Sequence, residues 1–286
     1  MLFAKAAESN PPNTWLWMNW GESFQMQGKE DAAIAMYRKA LAHPVTQAGY
    51  DKARQQAYQF LLPILEARND YDGQETLYRS QAAEYGYGLC NGPAYAVFML
   101  RHRGNAAAAI DIAHKTGNSQ CPAYDVREIL GVANYVLWST SSDPDKQTSW
   151  NKARAYMPAS ARLFYQLAKS DSLANVAREL VRANDAVDMP DNNRMNALAY
   201  ALRERDVAAA RRLLRLGARP QAPVGPEEMP VALLPVVLGD SDAVRMLRKA
   251  GVDYTKLRFR GMTALDHAKS VTDQKMIKAL EQGESV

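Results

Sequence analysis

The sequence predicts an all-α protein, an α-solenoid of stacked helical hairpins. In residues 17–40, large and small side chains fall where two short antiparallel helices must interlock, with Gly28 at the turn between them. In the C-terminal half, similar segments return at nearly constant intervals: Gly217 and Gly251 are 34 residues apart, and Ala232 and Leu265 are 33 apart. One such hairpin cannot bury its apolar face alone, so we expect neighbouring hairpins to stack.

Composition is that of a globular protein with a core. The chain has 286 residues, 47% hydrophobic and 23% charged, which is ordinary for such a protein. The net charge of +4 favours acidic partners only weakly, so we expect no nucleic acid as partner. No stretch approaches the roughly 18 consecutive apolar residues of a membrane span, and we expect no direct span.

A half-repeat precedes the hairpin of residues 17–40. Phe3, Lys5 and Ala6 stand 34 residues before Tyr37, Lys39 and Ala40, so the first residues repeat the second helix of that hairpin. Two explanations stay open: a lone capping helix, or a natural protein that continues upstream and has lost its leader.

Seven residues then match a known pattern in order: Trp17, Gly21, Phe24, Gly28, Ala33, Tyr37 and Ala40. This stretch resembles the tetratricopeptide repeat. The resemblance implies a concave surface that binds a peptide or a folded partner. Two further hairpins, in residues 57–86 and 93–118, keep the helical periodicity but not the signature, so residues 1–124 are predicted to be tetratricopeptide-like.

The two cysteines each precede a helix, in equivalent turns of neighbouring hairpins. Cys90 and Cys121 are 31 residues apart, and a disulfide is geometrically plausible. A disulfide persists in an oxidising compartment, so we expect a periplasmic location if the disulfide forms and a leader was removed. Two unrelated reduced cysteines and a cytoplasmic location are the alternative.

Residues 125–158 are predicted to connect the two halves through one helix and a polar loop. The loop contains Asp143 and Asp145, which are possible calcium ligands. It lacks the spaced acidic series and the distal Glu of a calcium-binding loop. A solvated loop is therefore the prediction.

Residues 159–286 form a second series. The segments that start at Asn196, Met229 and Gly261 can be aligned with one another. A less similar copy starts at Leu163. The best match to a known signature is Gly261, Thr263, Ala264, Leu265 and Ala268. This half resembles the ankyrin repeat, with about four copies, the first degenerate. Asp266 and Ala264 depart from the family's His and Pro, and Pro235 falls inside a first helix, so we expect less rigid helix starts there.

Catalytic motifs are missing from the sequence. It holds no phosphate loop, nucleophile elbow or HExxH, and its four histidines share no motif. His267 and Asp266 are adjacent, so on a helix they point apart and make a poor acid/base pair. We expect no enzyme, no cofactor and no metal site.

The ankyrin resemblance implies partner binding by three loops, residues 188–194, 219–228 and 254–260. The candidate partner-binding residues in them are Asp191, Asn192, Arg194, Arg219, Glu227, Glu228, Tyr254, Lys256, Arg258, Phe259 and Arg260. The last loop mixes aromatic rings with guanidinium groups, the types enriched at binding hot spots. A solvated hairpin with one packed side is the alternative.

The N-terminal half offers two more candidates. One predicted helix carries Trp15, Trp17 and Trp20. Trp17 is expected to pack within the repeat. Trp15 and Trp20 cannot both share its face at a period of 3.6, so one of them is predicted to be exposed or covered by an upstream helix that is missing from this sequence.

Together these features predict a non-catalytic protein-binding repeat protein. We favour a bacterial inhibitor or immunity-type protein that binds and occludes a folded effector or toxin. The alternative is an assembly scaffold or chaperone that binds an extended peptide in the tetratricopeptide-like groove.

Overall fold

A computed structural model of the protein describes residues 2–9, 13–43, 50–88, 90–117, 121–142 and 145–281. In this part of the chain the protein is mostly helical, with seventeen α-helices and four strands of two residues each. The all-α prediction is confirmed at that level. The chain divides into two compact units, Met1–Tyr95 and Ala96–Val286.

The first unit holds five helices and the start of a sixth. They are α1 (Leu2–Ser9), α2 (Thr14–Met26), α3 (Glu30–Ala42), α4 (Tyr50–Ala67), α5 (Tyr71–Tyr85) and α6 (Asn91–His102). Asn13 begins α2 by accepting a hydrogen bond from the Leu16 amide at 2.8 Å, and Asp70 does the same for α5 with Gly73 at 2.9 Å. Polar residues at these positions satisfy amides that a helix start leaves unpaired.

The predicted hairpin of residues 17–40 is present as α2 and α3. Gly28 has a φ of +69°, a conformation that favours glycine at the turn. Gly21 allows the two helices to approach closely, because a Cβ there would lie 2.6 Å from Cε1 of Tyr37. The Tyr37 ring is fully buried, and its hydroxyl donates to Oε1 of Gln25 at 2.6 Å.

The second unit begins within α6 and continues with α7 (Ala106–Thr116), α8 (Val126–Thr140) and α9 (Asp145–Tyr156). The prediction of a polar loop is wrong for the residues that form α9. Asp143 and Pro144 of the predicted loop lie outside the described residues. Trp150 of α9 packs on Trp138 of α8, with ring centroids 4.8 Å apart. This contact with α8 stabilises a helix in a segment whose own composition is polar, because tertiary packing can override local preference.

The rest of the second unit is a series of shorter elements. They are α10 (Ala161–Leu167), α11 (Asp171–Arg182), α12 (Ala197–Arg203), α13 (Val207–Arg215), β1 (Pro223–Val224), β2 (Met229–Pro230), a 3₁₀ turn (Val231–Leu233), α14 (Leu234–Val237), α15 (Ser241–Lys249), β3 (Arg258–Phe259), β4 (Met262–Thr263), α16 (Ala264–Ser270) and α17 (Gln274–Glu281). α10, α12, α14 and α16 contact one another in that order, while α13 contacts α15 and α15 contacts α17.

Pro235 lies in the first turn of α14, directly after the 3₁₀ turn. Proline is tolerated there because amides of the first turn have no partner within the helix. At the start of α16, Asp266 forms a capping box with Thr263. The amide of Thr263 donates to Oδ2 of Asp266 at 2.9 Å. Asp266, which stands where the ankyrin signature has His, thus has a structural role at the start of α16.

Cys90 and Cys121, the two cysteines of the sequence, are both disulfide-bonded. The pairing that the sequence left open is therefore present in the structure.

Candidate functional site

The three predicted loops all lie in the second unit, and two of them fold into small hairpins. β1 pairs with β2, with Val224 opposite Met229. β3 pairs with β4, with Phe259 opposite Met262. β2 also contacts β3, so the two hairpins are neighbours.

The loop of residues 188–194 is organised by one carboxylate. Oδ1 of Asp191 accepts hydrogen bonds from the amides of Asn193 and Met195, both at 2.8 Å, and Oδ2 accepts from the hydroxyl of Tyr200. Burial by itself would raise the pKa of Asp191, but these hydrogen bonds hold it below its ordinary value. Asp191 therefore orders the loop, while Asn192 beside it is exposed.

Ion pairs join each loop to the next one. Arg194 pairs with Glu228 at 3.1 Å, and its carbonyl oxygen accepts from the amide of Gly225 at 3.0 Å. Glu227 in turn pairs with Arg260. Exposed pairs of this kind contribute about 0–1 kcal/mol each, so their main effect is to order the loops relative to one another.

Two other candidate cations are paired within this surface. Nε of Arg219 lies 2.8 Å from Oδ2 of Asp188, and Nζ of Lys256 lies 3.1 Å from Oδ2 of Asp253. Arg258 differs from them, since it is exposed and forms no ion pair with any residue that the structure describes. The Asp266 carboxylate, whose pKa is lowered first by hydrogen bonds from Thr263, is also stabilised by the Arg258 charge.

Tyr254 is not part of this surface. Its side chain is 6% exposed, and its hydroxyl donates to the carbonyl oxygen of Ala232 at 3.0 Å. Burial raises the pKa of Tyr254 above its ordinary value. The interpretation of this ring as a partner contact is corrected, because a ring so buried presents almost no surface to a partner.

A shallow recess lies between the hairpins and the helices α14 and α16. Its exposed apolar side chains are Val237, 50% exposed, and Met262, 39% exposed, and the half-buried Phe259 also lines it. We call Val237, Phe259 and Met262 the apolar patch. The guanidinium of Arg260 lies 5.4 Å from the centroid of the Phe259 ring, so this cation borders the patch.

Sequence reasoning missed most of this patch. Of the three residues only Phe259 was a candidate, and the exposed Leu238 and Val271 near the same helices were not. One signal was available: residues 231–238 form an apolar run too long for a short helix with one buried face. Such a run leaves apolar side chains in solvent.

The tryptophans of the first unit are packed more closely than expected. Trp20 stacks on Phe3 of α1 and on Trp17 and Phe24 of α2, with centroid distances of 6.0, 5.7 and 5.9 Å. Trp15 packs against the core of the unit. Both are half-buried, and the helix that contacts Trp20 is α1, which is present in the sequence, so neither predicted alternative describes Trp20.

Two other features, a metal-binding group and a membrane-spanning helix, are absent from the described ranges. No three His, Cys, Asp or Glu side chains come together in a metal-binding group there. Nor does any helix in these ranges have the length and apolar character needed to cross a bilayer.

No protein-family model matches the chain, and no curated protein matches it. Function has to be inferred from the chemistry of the surface itself.

Proposed function

We propose that this chain is a non-catalytic binding protein that clasps a folded protein partner through the apolar patch and the loops around it. The observation that carries the proposal is the exposure of Val237 and Met262 in one recess, with the Arg260 guanidinium over its Phe259 ring. Exposed apolar side chains bordered by cationic groups are typical of interaction sites, because burial there releases water while the charges select an acidic rim.

The architecture we propose is a solenoid, tetratricopeptide-like in residues 1–124 and ankyrin-like in residues 159–286. The order of contacts among α10, α12, α14 and α16 supports a stack. Matching aspartates support a repeat: the side chains of Asp206, Asp240 and Asp273 each accept a hydrogen bond from the amide three residues later. These aspartates are 34 and 33 residues apart, the interval that the sequence predicts.

For the partner, we propose an effector or toxin that this protein occludes, as a bacterial inhibitor or immunity protein does. Its matching surface would carry an apolar side chain for the patch and a carboxylate for Arg258. The disulfide of Cys90 and Cys121 favours an oxidising compartment such as the periplasm, because cytosolic thiols are kept reduced.

The second candidate is a scaffold or chaperone that binds an extended peptide. It is favoured by a cleft of about 510 Å³ within the first unit, lined among others by Arg38, Leu41, Tyr58 and Leu77. That cleft mixes apolar side chains with a cation, which suits a peptide. For this candidate, Arg38→Glu removes peptide binding while Arg258→Glu leaves it intact.

To test the favoured proposal, the tagged protein is used to capture partners from lysates and periplasmic extracts of bacteria. We expect one stoichiometric protein. Met262→Asp places a charge in the apolar patch and is expected to weaken this capture about 30-fold, in line with the 2 kcal/mol of a binding hot spot. Arg258→Glu is expected to weaken it as well.

The matched control is Met26→Asp, which changes an 84% exposed methionine in the first unit. It should capture the partner as the unaltered protein does. Capture of no stoichiometric protein would contradict the function, and capture that Met262→Asp leaves unchanged would contradict the proposed surface.

A further inference from the structure

A separate cleft lies elsewhere in the second unit, away from the apolar patch. It has a volume of about 410 Å³, within the range of small-molecule sites, and it is bordered by α6, α8, α10 and Leu173 of α11. Its lining includes the buried side chains of Leu100, Ile129 and Val132. No residue of the patch lines it, and the proposed function makes no use of it.

The acidic groups of this cleft are already engaged. Glu128 pairs with Arg162 through one oxygen and accepts a hydrogen bond from Nε2 of Gln166 at 3.4 Å through the other. Asp125 caps α8, accepting from the amide of Arg127 at 2.8 Å. Neither carboxylate forms an ion pair with Lys169, another cation of the cleft, although Glu128 attracts it from a greater distance.

Lys169 is half-buried, and its Nζ lies 4.6 Å from the ring centroid of Tyr165. It has no carboxylate within 4.0 Å among the described residues. Arg101, which also lines the cleft, donates to Oε1 of Gln166 at 3.4 Å. Burial, and then repulsion from Arg101, lowers the pKa of Lys169, while the more distant Asp206, Glu204 and Glu128 only partly offset this.

We propose that this cleft binds a small ligand in which a carboxylate adjoins an apolar group, with Lys169 holding the carboxylate. The apolar group lies against Leu100, Ile129 and Val132. An anion placed here supplies the counter-charge that Lys169 lacks, and a desolvated ammonium gains more from such a partner than an exposed one does.

The charge of the cleft selects a monoanion. Its lining has three cationic groups, Arg101, Arg162 and Lys169, and two anionic ones, Asp125 and Glu128. Lys169 supplies one positive charge with no carboxylate within 4.0 Å among the described residues, and a single carboxylate neutralises it, whereas a phosphate dianion meets additional repulsion from the two acids. Free organic acids and the chain ends of short peptides share this chemistry.

The test measures binding to the whole protein by isothermal titration calorimetry. The probes are N-acetyl-leucine and 3-phenylpropionate, each compared with its own amide, which lacks the charge. We expect each acid to bind at least tenfold more tightly than its amide. Lys169→Met should remove that difference, and Lys169→Arg should retain it because the positive charge is kept.

Lys275→Met is the matched control, since it removes an exposed lysine from α17 outside the cleft. It should leave the tenfold preference unchanged. A hexapeptide ending in leucine with a free carboxylate distinguishes the two sources: tighter binding than N-acetyl-leucine assigns the cleft to peptide ends, and weaker binding assigns it to free acids. Absence of acid binding, or equal binding of acid and amide, would overturn the proposal.

Discussion

Tyr254→Ala is expected to lower the free energy of unfolding by about 3–5 kcal/mol, the range for deleting a large buried aromatic side chain. The ring is almost fully buried, and its hydroxyl satisfies the carbonyl oxygen of Ala232, so the variant loses both apolar burial and a hydrogen bond. Urea unfolding, followed by circular dichroism, measures the change.

Tyr254→Phe separates these two contributions. It keeps the ring and removes only the hydroxyl, so we expect a loss of about 1–3 kcal/mol from leaving a buried carbonyl oxygen unpaired. If the Tyr254→Ala protein had normal stability but failed to capture its partner, the ring would be a partner contact at the surface. That result would contradict the role of Tyr254 in the core.

Reduction of the disulfide is expected to lower the free energy of unfolding by about 3–4 kcal/mol. Cys90 and Cys121 close a loop of about 30 residues, and opening it restores conformational entropy to the unfolded chain. Urea unfolding with and without a reductant measures this difference. Thiol titration of the native protein should find no free thiols, and titration after reduction should find two.

The Cys90→Ser, Cys121→Ser double variant is the control. We expect its stability to match that of the reduced protein and to be unaffected by the reductant. Two reactive thiols in the protein purified without reductant would contradict the disulfide and would remove the support for an oxidising compartment.

The hairpin of α2 and α3 could be predicted because its determinants are local. Gly28 marks the turn, and Gly21 opposite Tyr37 marks the close approach of two helices. These constraints concern residues fewer than 20 positions apart in the chain, so the order of large and small residues already contains them.

Helix α9 could not be predicted in the same way. Its first residues are polar and look like solvated loop, and few of its side chains are buried. Its packing partners lie on α8, where Trp138 meets Trp150 and Tyr135 lies 6.0 Å from the same ring. Such contacts across a hairpin override local composition.

For the candidate site, the loops could be predicted but their exposed side chains could not. The hairpin strands contain only two residues each, so no alternation reveals which side chain points inward. Tyr254 precedes β3 and is buried, whereas Met262 begins β4 and is exposed. Burial in this region is decided by the neighbouring hairpin, which sequence spacing alone does not place.

The central claim is that a partner lies on the apolar patch, and site-specific photo-cross-linking in intact cells tests it most directly. A photoreactive amino acid is placed at Met262 in one variant and at Met26, in the first unit, in another. We predict one discrete adduct with a second protein from position 262 and none from position 26. No adduct from position 262, or the same adduct from both positions, would contradict the claim.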